Sequence, residues 1–253
     1  MSEYERFRAQ CERDVEAQGS DDEFLEKTRT WIGHAMEHRY SHHFEWLGRP
    51  IIQFPQDIVA MQEIVWAVQP DLIIETGIAH GGSLILSASL LELNASCGGP
   101  PAAQVVGVDT DIRKHNRSAI DDHPLSPRIS MIEGSSTEPV VFSQVAEFAS
   151  TASKVLLCLD SNHTHAHVLR ELEIYAPMVS VGSYCIVFDT LIEELSREYL
   201  SSTDRPWEPG NSPGSAIDAF LAGSGGERFV VDHSVTNRLM VTSARGGYLK
   251  RVV

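Results

Sequence analysis

Short continuous apolar runs alternate with longer stretches of helical apolar spacing along most of the chain after residue 50. Continuous apolar runs are typical of strands buried on both faces, and the intervening periodicity indicates amphipathic helices. The alternation predicts an α/β fold with a doubly wound, mostly parallel, seven-stranded sheet. The last two predicted strands lie close together in the sequence, which favours an antiparallel edge. The predicted strands are 71–76, 104–109, 128–132, 155–160, 183–189, 228–232 and 238–242.

The first 47 residues are polar and favour helices, so we interpret them as an N-terminal helical extension of an α/β domain that spans 48–253. Within the domain, residues 201–214 (SSTDRPWEPGNSPG) are predicted to form a long loop. A loop of this length is more often functional than accidental. The predicted helices are 22–38, 57–68, 82–93, 137–149, 165–178 and 213–223.

Composition narrows the class of partner. The 253 residues are 42% hydrophobic and 22% charged, as in a globular protein with a full core. A net charge of −15 argues against nucleic acid and against an anionic membrane surface. The chain has no apolar run long enough for a membrane span and no signal-peptide pattern. Four widely spaced cysteines favour buried thiols in a reducing cytoplasm. The sequence leaves the oligomeric state open, including a homo-oligomer.

The stretch DLIIETGIAHGGS (71–83) runs from a strand through a glycine turn into a helix. Such turns bring the backbone close to a ligand, and NAD, phosphorylated nucleotides and S-adenosylmethionine (SAM) all use versions of them. Glu75 beside the turn would repel a pyrophosphate but suits the cationic SAM. Asp109 ends the next strand, where a carboxylate can accept both ribose hydroxyls. Ser135, after the third strand, lies where an adenine ring would be expected. SAM is the favoured ligand.

The chemically densest stretch is LDSNHTHAH (159–167), at the end of the fourth predicted strand. Asp160 is a plausible metal ligand there, and His163 a plausible base three residues later. Asp189 ends the fifth strand, and its carboxylate should lie beside Asp160 if the two strands are neighbours. Converging carboxylates are unfavourable unless they bind a cation, and oxygen ligands suit Mg²⁺. A helix-capping role for Asp189 is the alternative.

Several ordered segments carry a resemblance to a known family. They are GRPIIQFPQDIVAMQEIVWAVQPDLIIETGIAHGGS, VVGVDTDIR, LDSNHTH, WEPGNSPGSAIDAFL and VTSARGGYLKRV. Together they resemble the cephalosporin hydroxylase/rhamnosyl O-methyltransferase family, which includes macrolide-sugar and mycobacterial glycan O-methyltransferases. The resemblance implies a Rossmann-like, SAM-dependent methyltransferase domain, with Asp160 as first metal ligand and His163 as general base. It also implies a set of SAM-binding positions: Glu75, Gly77, Gly81, Ser83 and Asp109.

The family usually ends its fifth strand with a Glu–Asp pair that binds the metal, and here that pair is Phe188–Asp189. One carboxylate is therefore missing, and we expect weak Mg²⁺ binding by Asp160 and Asp189.

We expect a Mg²⁺-assisted transfer of the SAM methyl group to a sugar hydroxyl, with a mannose- or rhamnose-containing glycan as the most specific guess. His163 would take the hydroxyl proton. Trp207, in the long loop, would offer a flat apolar face to the sugar ring. Two alternatives stay open: a metal-dependent hydroxylase whose iron is bound by His163, His167 and Asp160, and a SAM-binding protein without catalytic activity.

Overall fold

The computed structural model describes all 253 residues, and its centre is one seven-stranded sheet. A short antiparallel hairpin, β1 (Phe44–Trp46) with β2 (Arg49–Ile51), precedes this sheet. The seven strands are β3 (Leu72–Thr76), β4 (Gln104–Asp109), β5 (Ile129–Glu133), β6 (Val155–Leu159), β7 (Tyr184–Val187), β8 (Phe229–Val231) and β9 (Tyr248–Arg251). Their order is β5-β4-β3-β6-β7-β9-β8, and β9 alone runs antiparallel to the other strands. The predicted fold class is confirmed.

Helices cover both faces of the sheet. One apolar cluster joins the sheet to α3, α4 and α10, and a second joins it to α6, α7 and α9. None of the helices is both long enough and apolar enough to cross a lipid bilayer. The helices are α1 (Glu3–Gly19), α2 (Asp22–Glu37), α3 (Pro55–Val68), α4 (Gly82–Ser96), α5 (Lys114–Asp121), α6 (Pro139–Thr151), α7 (His165–Tyr175), α8 (Arg197–Ser202), α9 (Pro213–Ala222) and α10 (His233–Leu239).

The order in which strands are added to the sheet reverses at β3, because β4 and β5 lie on one side of it and β6 and β7 on the other. Strands β4 and β6 lie on its two sides, and both pair with it in parallel. A crevice forms at such a switch point, outside the carboxyl ends of the strands, and open α/β sheets bind ligands there. Residues that follow β3, β4, β6 and β7 all reach this edge.

One predicted strand is wrong. Residues 238–242 were expected to form a strand of the antiparallel edge, but α10 extends to Leu239, the residues after it form no strand, and β9 supplies the antiparallel strand between β7 and β8. Asp232 starts the helix by accepting a hydrogen bond from the backbone N–H of Ser234, and Met240 ends it with φ of 59°. This antiparallel strand reads YLKR, and its charged second half hid it from a search for apolar runs.

The N-terminal region is helical as expected, but α1 has no buried residue and packs chiefly on α10. Gln18 donates a hydrogen bond to the backbone of Asn237 across this contact. The hairpin turn at Leu47–Gly48 coincides with the predicted domain boundary, which stays a prediction. Helix α8 and the start of α9 shorten the predicted loop to residues 203–212.

Candidate active site

The glycine turn after β3 lies against the loop that follows β6. Gly77 has φ of 92°, and a side chain there would overlap the backbone carbonyl of Asp160. Gly81 adopts φ of 85° at the start of α4. Both conformations are readily available to glycine but not to other residues. The glycine turn and the loop of Asp160 are therefore in direct contact.

Glu75 is buried in β3 with one carboxylate oxygen unpartnered. Its Oε2 accepts a hydrogen bond from Ser87 at 3.4 Å, while its Oε1 has no partner. Burial raises the pKa of Glu75 to about 7, although hydrogen bonds from Ser83 and Ser87 oppose this rise. A buried acceptor without a donor is unfavourable, and such groups in native proteins commonly indicate a site that something else completes.

A narrow cavity of about 10 Å³ adjoins this carboxylate, enough space for one water-sized group. Gln53 lines it together with Glu75, Ser83, Asp160 and Phe188. The side chain of Gln53 is 6% exposed, and its Oε1 also lacks a partner. Two unpartnered oxygen acceptors thus line one small cavity next to the glycine turn.

Asp109 reaches the same turn from β4. Its Oδ2 accepts hydrogen bonds from the backbone N–H groups of Ile78 at 2.8 Å and Ala79 at 3.2 Å. These bonds help to fix the turn, and a carboxylate has further lone pairs for a ligand. Ser135 follows β5 at the same edge, and its hydroxyl lies 3.1 Å from that of Thr137.

Asp160, His163 and Asp189 converge as predicted from the ends of β6 and β7. Their potential ligand atoms all lie within 4.8 Å of one another, and Nε2 of His163 is 3.2 Å from Oδ2 of Asp189. Burial, and then the neighbouring Asp189 carboxylate, raise the pKa of Asp160 well above its ordinary value. Asp189 has φ of 56°, and backbone conformations of this kind cluster at functional sites.

Phe188 is 5% exposed and belongs to the apolar cluster beneath the glycine turn. Its ring also lines the cavity of Gln53 and Glu75. The side chain therefore contributes hydrocarbon, and the cluster of possible ligands consists of two carboxylates and one imidazole.

Trp207 packs against the cluster from the long loop. Its ring lies 4.7 Å from the imidazole of His163, centroid to centroid, in an edge-on arrangement. The guanidinium of Arg205 lies 5.2 Å from the centre of the indole. Two contacts secure the loop: Gly210 donates its N–H to Glu193, and Asn211 accepts the N–H of His165.

The three histidines of HTHAH do not share a site. His165 hydrogen-bonds Ser215 at 2.9 Å, and His167 lies among Ser136, Ser161 and Glu171. His167 is absent from the cluster of possible ligands that contains His163 and Asp160. The two-histidine iron site considered for a hydroxylase is therefore not formed.

Sequence reasoning missed two features of this region. Gln53 reads as a loop residue before α3, although its apolar neighbours in PIIQFP are a signal that it is buried. Glu171 lies on the apolar face of α7, four residues before Tyr175 and three after Val168. A carboxylate at such a position was the available signal, because core positions of helices seldom carry one.

Comparison with known proteins agrees with this geometry. The sequence model of the family described as rhamnosyl O-methyltransferase/CmcI matches residues 38–252. A rhamnosyl O-methyltransferase of Mycobacterium tuberculosis is 30% identical over 199 residues, which are 77% of this chain and 73% of that protein. The rhamnosyl O-methyltransferase of Mycobacterium leprae is 29% identical over 146 residues, or 57% and 59% of the two chains.

Among solved structures, CmcI described with Mg and SAM aligns with a TM-score of 0.55 at 17% identity, covering 84% of this chain and 78% of that one. Apo CmcI aligns with a TM-score of 0.57, also at 17% identity, covering 84% and 77%. These likenesses show the shared fold, and the sequence matches confirm the predicted family. The chain belongs to the rhamnosyl O-methyltransferase/CmcI family.

Proposed function

We propose that this protein transfers the methyl group of SAM to a hydroxyl of a sugar or glycan, with assistance from Mg²⁺. The observation that carries the proposal is the contact between Gly77, in the glycine turn, and Asp160, in the cluster with His163 and Asp189. A cofactor turn and a base with two carboxylates thus meet at one edge of the sheet. Of the two expected acceptors, the rhamnosyl names of the relatives support the rhamnose-containing one.

SAM would bind along the glycine turn. Its ribose hydroxyls suit Asp109, and its adenine suits the loop of Ser135. Its ammonium group would supply donors to the unpartnered oxygens of Glu75 and Gln53, in a cavity of matching size. The residues proposed to bind SAM are Glu75, Gly77, Gly81, Ser83, Asp109 and Ser135, with Gln53 added.

The residues at the metal position fit Mg²⁺. Two carboxylates that converge beside an imidazole favour a bound cation, and burial, followed by repulsion from the Asp189 carboxylate, raises the pKa of Asp160. Because Phe188 offers no oxygen, waters or the acceptor would complete the coordination of Asp160 and Asp189. A bound Mg²⁺ lowers the pKa of an acceptor hydroxyl and orients its oxygen.

His163 would take the proton from the acceptor hydroxyl. The imidazolium formed in this way would be stabilised by the Asp189 carboxylate 3.2 Å away. Trp207 restrains the imidazole ring from one side and offers the remaining apolar surface of its own ring to the sugar. The side chains would thus align the attacking oxygen with the methyl carbon, which requires a separation of about 3–3.5 Å.

The test is methylation of a panel of rhamnosides, mannosides, glucosides and catechols with labelled SAM, with and without EDTA. His163→Ala should lower kcat about 10²- to 10⁴-fold, because a general base is lost, while the affinity for S-adenosylhomocysteine (SAH) stays the same. His165→Ala is the matched control, since that histidine points to Ser215 instead. Full methylation by His163→Ala in the presence of EDTA would contradict the mechanism.

A further inference from the structure

Glu171 lies on the buried face of α7, where its neighbours are apolar. The face consists of Val168, Glu171, Leu172 and Tyr175, and Glu171 is 0% exposed. Burying a carboxylate is costly, and an apolar side chain of similar size often serves stability equally well. A role in holding specific partners would explain this residue.

Its partners belong to two different loops. Oε1 of Glu171 accepts hydrogen bonds from the hydroxyl of Ser136 at 2.5 Å and from that of Ser161 at 2.8 Å. Ser136 follows β5, and Ser161 follows β6, yet β4 and β3 separate these two strands in the sheet. One carboxylate oxygen therefore joins loops that the sheet itself does not bring into contact.

His167 closes the same network. Its Nε2 lies 3.1 Å from the Ser136 hydroxyl, 3.2 Å from the Ser161 hydroxyl and 3.4 Å from Oε1 of Glu171. A catalytic serine triad needs the carboxylate and the serine on opposite nitrogens of the ring. Here both use Nε2, so the arrangement joins the loops and does not activate a serine.

The two loops carry the two halves of the proposed reaction. Ser135, proposed to contact the adenine of SAM, immediately precedes Ser136. Asp160, proposed to bind the metal, immediately precedes Ser161. Tyr175 adds a third connection from α7 by donating a hydrogen bond to the backbone carbonyl of Ser136 at 2.7 Å.

We propose that Glu171 is a positioning residue that sets the placement of bound SAM relative to the Asp160–His163–Asp189 cluster, through Ser136 and Ser161. This inference rests on the proposed function. Transfer requires the attacking oxygen and the methyl carbon at a fixed short separation, and small displacements of either part lower the rate. Glu171 couples the parts without touching SAM or the acceptor.

The experiment compares Ser136→Ala, Ser161→Ala, Glu171→Leu and Glu171→Gln, with Glu173→Gln as the control. Glu173 lies on the same helix and pairs with Arg170 near the surface. SAH affinity is measured by calorimetry and Mn²⁺ affinity by electron paramagnetic resonance, with Mn²⁺ as the probe for the metal site. Amide hydrogen exchange of residues 135–138 and 160–164 reports the loops without any ligand.

Ser136→Ala should weaken SAH binding about three- to tenfold and leave Mn²⁺ binding unchanged, and Ser161→Ala should do the reverse, as expected for the loss of one hydrogen bond. Glu171→Leu should weaken both and speed exchange in both loops. Glu171→Gln keeps an acceptor oxygen, so its SAH and Mn²⁺ affinities and its exchange rates should stay close to those of the wild type. In the Glu171→Leu background, each serine substitution should add little, because the partners act as a unit.

A folded Glu171→Leu protein with wild-type affinities and unchanged exchange in both loops would overturn the inference, as would additive effects of the three substitutions. Should Glu171→Leu not fold, selective losses in the two serine variants still support it, and their absence overturns it. A wild-type protein that fails to bind SAH contradicts the proposed function instead, while the exchange measurement still tests the coupling.

Discussion

Two buried carboxylates with similar exposure have opposite surroundings in this protein. Asp57, in the first turn of α3, is 1% exposed, and Glu75, in β3, is 3% exposed. Asp57 accepts hydrogen bonds from the hydroxyl of Thr242, from both the N–H and the hydroxyl of Ser243, and from the hydroxyl of Tyr248. Glu75 accepts one hydrogen bond, from Ser87 at Oε2, while its Oε1 has no partner.

The difference separates a structural carboxylate from a binding one. Asp57 joins α3 to a segment about 185 positions further along the chain, and its network is complete. Burial raises its pKa, but four hydrogen bonds from Ser243, Thr242 and Tyr248 oppose the rise. The incomplete network of Glu75 leaves a cost that a ligand can remove. Burial is nearly the same in both cases, so the hydrogen bonds distinguish these two carboxylates.

The largest expected effect is a loss of stability on removal of the structural carboxylate, Asp57. Asp57→Ala should lower the free energy of unfolding by about 3–5 kcal/mol, because it leaves several buried donors without an acceptor. Urea unfolding measures the loss, and Asp218→Ala, on the exposed side of α9, is the control. The folded fraction should still bind SAH normally. A loss below about 1 kcal/mol would make Asp57 dispensable to the fold.

Only one of these two carboxylates could be interpreted correctly from the sequence. Glu75 precedes a glycine turn, so the local sequence is enough to indicate a role in ligand binding. Asp57 in FPQDIVAM resembles an exposed acid in the first turn of a helix, because its partners lie at 242–248. The same segment contained the one predicted strand that is wrong, since α10 and β9 are defined by contacts with α3 and β7.

The same rule applies to the candidate site. Asp160, His163 and Asp189 could be grouped in advance, because parallel neighbouring strands bring their ends together. Ser136, Ser161 and Glu171 could not, because strands β3 and β4 separate the two loops and α7 crosses over both. The order of the strands predicts contacts between adjacent strand ends. Side-chain networks between distant loops cannot be predicted from that order and become visible only in the structure.

The next effect concerns pH and tests the incomplete network of Glu75. The folded protein keeps a proton on Glu75 up to about pH 7, because burial raises the pKa to about 7 from 4.5. Between these values the folded state binds more protons than the unfolded chain, so this group lowers the free energy of unfolding as pH rises, by at most about 3 kcal/mol.

Urea unfolding without SAM across this pH range should therefore show a steeper decline for the wild type than for Glu75→Gln, which cannot titrate. Asp57 also has a raised pKa, but Glu75 is not among its causes, so Asp57 contributes equally to both proteins. The Glu75 carboxylate helps to raise the pKa of Asp160, so the difference between the curves reports Glu75 together with its effect on Asp160. Parallel curves would mean that Glu75 already has a partner or is hydrated, and its distinction from Asp57 would disappear.

The smallest expected effect tests whether Oε1 of Gln53, the second unpartnered acceptor, contributes to ligand binding together with Glu75. Gln53→Leu removes an oxygen that lines the cavity next to Glu75, and we expect SAH affinity to fall about five- to tenfold, about 1–1.4 kcal/mol, as one hydrogen bond to the ammonium group is lost. Stability should change little, because the leucine fills the space and leaves no donor unpaired. Gln62→Leu, at an exposed position of α3, is the matched control. An SAH analogue without the amino group provides the decisive arm: wild type and Gln53→Leu should bind it equally. If Gln53→Leu weakens both ligands to the same extent, then the glutamine shapes the cavity instead of contacting the ammonium group, and Glu75 would be the only acceptor there.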